Sequence, residues 1–131
     1  MPGRRTIDCE ENESFFRKLN FIQDETNALK IRLGEFVKEI TSKRDLLEVE
    51  NLQTRLLRLD EFISTIRYYL YDFRKNFCEK NADSTDLECR KRLIQLQDGM
   101  ASVENWFTQL NKDLSNFAEK CIETEANRHS G

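Results

Sequence analysis

Residues 89–121 read CRKRLIQLQDGMASVENWFTQLNKDLSNFAEKC, and this stretch decides the fold. Its apolar side chains fall at Cys89, Leu93, Leu96, Met100, Val103, Phe107, Leu110, Leu114, Phe117 and Cys121, in alternating steps of four and three. Only a helix gathers such positions into one stripe, because the steps average close to its 3.6-residue turn. A strict repeat held over this length is the seam of a coiled coil or an elongated bundle. Such a helix needs partner helices of comparable length.

Two partners are present in the same chain. Phe15, Leu19, Ile22, Thr26, Leu29, Leu33, Phe36 and Ile40 form a second stripe in which only Thr26 is polar. Gly34 lies off that stripe, and the phase runs through it. Beyond Ile40 the phase fails, and a third stripe starts at Val49 and continues through Leu52, Leu56, Leu59, Ile63, Ile66, Leu70, Phe73 and Phe77. The segment Thr41–Asp45 is the expected first turn, with Ser42 and Asp45 spaced like a capping box. The polar cluster Asn81–Asp86 is the expected second turn, and Thr85-x-x-Glu88 is a capping box opening the last helix. The reading is a flexible arm over residues 1–10, helices over 11–41, 45–79 and 85–126, and a disordered tail over 127–131. At 1.5 Å per residue the helices span about 45, about 50 and about 60 Å. Short turns make neighbours antiparallel, so the expected architecture is all-α: an elongated up-down-up three-helix bundle with a left-handed twist. With its stripes satisfied within one chain, it is expected to be a monomer.

Composition bounds the rest. Charged residues make up 34% of the 131 and apolar ones 38%, which suits a folded domain with a heavily charged exterior. The one proline, Pro2, lies outside every stripe. A net charge of -3 with both signs mixed offers no basic stripe for nucleic acid. No apolar run is long enough to span a membrane, and the opening Met-Pro-Gly-Arg-Arg-Thr lacks the apolar core of a secretory signal.

The four cysteines invite a disulfide reading. Cys78 and Cys89 flank the second turn and form the one candidate bridge. Cys9 and Cys121 lie at opposite ends of the bundle, beyond the roughly 7 Å that a disulfide spans between Cα atoms. Cys89 and Cys121 occupy core positions, where a free thiol behaves as a small hydrophobe, so buried thiols are the leading expectation.

No pattern points to catalysis, a metal or a cofactor. The single histidine, His129, sits in the tail, and the cysteines are too scattered to converge on a metal. There is no phosphate loop, nucleophile elbow or Cys-x-x-Cys. The carboxylates alternate with Lys and Arg, as on a solvated surface. Asn12-Glu13-Ser14 has the form of a glycosylation sequon. The expected function is therefore binding. Phe62, Tyr69 and Trp106 flank the seams of the second and third helices. There they either widen the apolar faces, as bundles require, or line a groove for another helix.

Several stretches resemble the syntaxin N-terminal regulatory domain, known as Habc. Phe15-Phe16-x-x-Leu19-x-x-Ile22, followed by Leu29, Leu33 and Phe36, is similar to the first helix of that domain, as is Ile22-Gln23-Asp24-Glu25. Asp86-Leu87-x-x-Arg90-Lys91 and Phe117-Ala118-Glu119-Lys120-Cys121 resemble the start and end of its third helix. The middle helix matches in length and pattern only, and the first connection is shorter than is typical. The resemblance implies a cytosol-facing antiparallel bundle, membrane-associated in a full-length protein. Such a domain regulates SNARE assembly in membrane fusion by binding a SNARE helix in the groove between its second and third helices, and it engages SM-family proteins. Two other readings stand beside it. One is a secreted, disulfide-containing helical bundle, cytokine-like or from a parasite surface, that binds a receptor. The other is a cytosolic coiled-coil assembly subunit.

Overall fold

The structure, a computed structural model, describes residues 2–79 and 86–130, with side-chain surroundings for 8–79 and 87–123. It is an all-α three-helix bundle: α1 spans Pro2–Val37, α2 Lys43–Phe73 and α3 Asp86–Ser130, with a π-helical segment, Arg74–Glu79, continuing α2. Polar contacts set the register. Asn12 meets Leu70, while Gln23 and Lys30 both reach Asp60, so α1 and α2 are antiparallel. Arg92 faces Asp72 and Asp113 faces Arg55, which makes α2 and α3 antiparallel as well. Lys18 pairs with Glu104 and Gln97 with Glu11, so α1 and α3 run the same way.

The three stripes meet in one core. Leu19, Leu33, Leu52, Leu59, Ile63, Leu70, Val103, Leu110 and Leu114 are all but inaccessible. Thr26, the polar member of its stripe, is fully buried and donates its hydroxyl to the Ile22 carbonyl at 2.7 Å, so no polar atom of it is left unpaired. Five stripe positions fall short: Phe15, Phe36, Ile40, Phe107 and Cys121 are half-buried.

The first helix is longer than its apolar stripe. Residues 2–10 are helical rather than a flexible arm. Extending the four-three steps back from Phe15 gives Asn12 and Asp8, whose polarity hides the continuation. Asn12 is nevertheless buried, donating through Nδ2 to the Leu70 carbonyl at 3.2 Å. Asp8 accepts from the Cys89 thiol at 3.9 Å. Pro2 as the first helical residue suits its fixed φ and missing N–H.

The first connection lies earlier than expected. α1 stops at Val37, and its end is tightened by the Glu39 and Ile40 N–H groups donating to Phe36 and Val37 carbonyls at 3.1 and 3.3 Å. Ser42 caps α2 with its hydroxyl accepting from the Asp45 N–H at 3.4 Å, so Lys43–Asp45 are already helical. α3 starts at Asp86; Thr85, the expected cap, lies outside the described residues. At the other end the backbone is helical through Ser130, where a disordered tail over 127–131 was expected; of that range only Gly131 is outside the described residues.

The main departure concerns the cysteines. Cys78 is bonded to Cys9, with Cα atoms 5.9 Å apart, and not to Cys89. Cys89 is a buried thiol outside the bridge and Cys121 a half-buried one. The π-helical segment carries Cys78, and the unforeseen first turns of α1 carry Cys9 to meet it. Treating Cys9 as part of a loose arm is what hid the pairing. The bridge joins residues 69 apart, and the chain-entropy model gives such a loop about 4 kcal/mol of stabilisation.

Candidate functional site

Sequence reasoning put the binding surface between α2 and α3, at Phe62, Tyr69 and Trp106. The structure has an open groove there, about 860 Å³ in volume. Its floor is apolar, made by Ile66, Phe73 and Phe77 from the α2 side and by Leu96 from α3, with Leu87 exposed at its edge. Polar groups rim it: Thr65 and Asp72 on one wall, Glu88, Lys91, Arg92 and Gln95 on the other. Asp72 is held by the Arg92 guanidinium at 3.8 Å and by the Asn76 amide at 2.9 Å.

The three named aromatics divide by role. Tyr69 stands on the rim, 48% exposed. Phe62 lines the groove and is half-buried. Trp106 does not line it. Its ring lies against Phe62, with centroids 5.7 Å apart and planes tilted by 43°, so the pair closes one end of the groove. The open length runs from Phe62 to Phe77 along α2 and from Leu87 to Gly99 along α3.

Two features were missed from sequence. Gly99 lets α3 approach α2, since a Cβ there would lie 2.5 Å from Ile66 Cδ1. A glycine inside a strong helical repeat was the available signal. The second feature is the π-helical segment, which supplies Phe77 and closes the far end. π-helical turns leave no trace in apolar periodicity, and this one continues the stripe through Phe77 without a break.

The seam between α1 and the end of α2 is different in character. Arg74 stacks over Phe16, 4.6 Å from the ring centroid, and over Tyr71 at 5.6 Å. It also pairs with Glu13 at 2.7 Å. Together with the Asn12 bond and the Cys9–Cys78 bridge, these contacts fasten α1 to the π-helical end of α2.

Among the described residues no cluster of three or more His, Cys, Asp or Glu side chains is placed to hold a metal, and no helix is long and apolar enough to cross a membrane. His129 lies beyond the described side chains. No family model, curated protein or solved structure matches the chain.

Proposed function

We propose that this chain is a regulatory protein-binding module rather than an enzyme, and that it holds an amphipathic helix of a partner in the α2–α3 groove. The observation that carries this is the groove itself: an apolar floor between polar walls, on a scaffold already folded without the guest. Its length corresponds to about three to four helical turns. Helix-in-groove recognition needs such a strip, since the guest's apolar face enters and its polar face stays wet. On the syntaxin-like reading the guest is a SNARE helix, or the face is engaged by an SM-family protein, and the module acts in vesicle transport by withholding the helix from fusion complexes.

The Cys9–Cys78 bridge favours a second reading. Disulfides persist in oxidising compartments, which suits a secreted bundle that presents the same groove to a receptor. Alkylating the thiols at lysis and mapping them separates the two: a reduced Cys9–Cys78 pair in the native source supports the cytosolic reading, and an intact bridge the secreted one.

The groove reading is tested by titrating a synthetic SNARE-type amphipathic helix against wild type and a Phe62→Ser/Tyr69→Ser variant of unchanged helicity. Aromatic anchors at binding centres are commonly worth about 2 kcal/mol or more, so the variant is expected to bind at least about ten-fold more weakly. Equal affinity would make both residues ordinary bundle packing.

A further inference from the structure

The first turns of α1 are helical without an apolar stripe to hold them. Counting back from Phe15, the stripe positions are Asn12, Asp8 and Arg5, and between Gly3 and Ser14 the apolar residues are Ile7 and Cys9. The hydrophobic effect has little to act on there, and a helix of this length has little stability in water on its own. The segment is fastened covalently instead, by the bond from Cys9 to Cys78 of the π-helical segment. The Asp8–Cys89 and Glu11–Gln97 hydrogen bonds also reach these turns, and the second is exposed. From Asn12 onward the hold is different in kind. Asn12 donates to the buried Leu70 carbonyl, Glu13 pairs with Arg74, and the Arg74 guanidinium covers Phe16.

We propose that the Cys9–Cys78 bridge is a redox switch for this end of the molecule. With the bridge closed, the first turns of α1 and the π-helical segment are locked together. With it reduced, both loosen while the bundle from Asn12 onward stays folded. Both cysteines are partly exposed, and Cys9 lines a surface hollow with Glu10, Glu13 and Arg17, so a reductant reaches the bridge in the folded protein. The co-reactant is a dithiol reductant. One of its thiolates attacks Cys9 Sγ, the Cys9–Cys78 bond breaks, and Cys78 leaves as a thiolate that takes up a proton. The reductant's second thiol, deprotonated, attacks the reductant's own sulfur in the mixed disulfide, and Cys9 leaves as a thiolate that is protonated in turn. Two electrons pass to the bridge, the dithiol becomes a disulfide, and its two protons end on Cys9 and Cys78.

The switch also acts on the groove, an effect that rests on the groove being the binding site. Cys78 directly follows Phe77, which lines the groove at its far end. The bridge therefore anchors that end of the groove to α1. In the reduced form Phe77 loses the anchor, and this end grips a guest helix less firmly. The oxidised form is the tighter binder.

The test is peptide-level hydrogen–deuterium exchange, which reads local opening, on the full chain before and after incubation with dithiothreitol. Alkylation without denaturant is expected to label Cys9 and Cys78 in the treated chain. Protection should then be lost over residues 2–11 and 74–79 and kept over 15–37 and 43–70. A Cys9→Ser/Cys78→Ser chain should match the reduced form with or without dithiothreitol. A bridge reduced only after denaturation, or equal exchange in the two forms, would overturn the switch. Protection lost throughout all three helices would overturn it too, because the bridge would then be a staple for the whole bundle. A second arm titrates the synthetic amphipathic helix against the oxidised and reduced forms. Weaker binding by the reduced form is expected, and equal binding would overturn the link to the groove. If neither form bound the helix, the groove reading and that link would fail together, while the exchange data would still decide the switch.

Discussion

At the scale of single residues, Asn12 shows how a polar side chain can belong to a core. Its Nδ2 donates to the Leu70 carbonyl, which also accepts from the Arg74 N–H, and its Oδ1 is buried without a partner. The residue sits in a sequon, yet its amide nitrogen faces the interior, where a glycan has no room. If the chain is expressed through a glycosylating secretory route, the folded fraction is therefore expected to carry an unmodified Asn12. Intact mass and peptide mapping would check this, and a natively folded, fully glycosylated Asn12 would contradict the placement. Asp113, at the other end of the bundle, makes a pH-dependent contact. The Arg55 guanidinium at 2.7 Å holds its carboxyl below the ordinary carboxylate value, against the opposing pull of burial, and Gln109 adds a second hydrogen bond. A lowered pKa in the folded state means that the contribution is present at neutral pH and is lost as pH falls through that pKa. Arg55→Ala is expected to cost about 0.5–1 kcal/mol at neutral pH, as for a partly exposed ion pair. Its stability gap from wild type should shrink as the pH falls below the ordinary carboxylate range and Asp113 takes up its proton. A gap that stayed constant on acidification would show that Arg55 acts through packing alone.

At the scale of elements, α2 and the middle of α3 were legible because every stripe position is apolar and no polar residue interrupts the phase. The start of α1 was not, because Asp8 and Asn12 occupy the stripe there, and polarity looks like a helix end whether or not the helix continues. The π-helical segment was hidden for a different reason: its wider turn keeps Phe77 inward, so sequence periodicity cannot separate it from α-helix. The pairing of Cys9 with Cys78 depends on both unseen features and was lost with them. Within α3 the repeat overstated the burial of Phe107 and Cys121. Phe107 lies on the stripe but is half-buried, whereas Leu110 is fully buried. Leu110→Ala is expected to cost about 2–5 kcal/mol as a cavity in a packed core. Phe107→Ala should cost less despite its larger side chain, because water already reaches that site. Denaturant unfolding of the two variants checks the order, and the reverse order would move the α3 seam by part of a turn.

At the scale of the whole molecule, three amphipathic helices bury their stripes against one another and leave a long apolar strip between α2 and α3 open to solvent. Candidate residues for that strip were legible in part. Phe62 and Tyr69 stood out as aromatics beside the seam, and both line it. Trp106 stood out equally and instead closes the end, a distinction that depends on the tilt of one ring against another. The walls come from charged residues that look like any solvated surface until α2 and α3 are brought together. The central claim is that this strip receives a helix while the bundle stays as it is. Amide-resolved NMR during titration with a synthetic SNARE-type amphipathic helix tests it most directly. The predicted result is a set of shifts confined to Phe62–Phe77 and Leu87–Gly99, with the outer face of α1 around Phe21 and Ile31 unchanged. Shifts centred on α1, or spread evenly over all three helices, would contradict it.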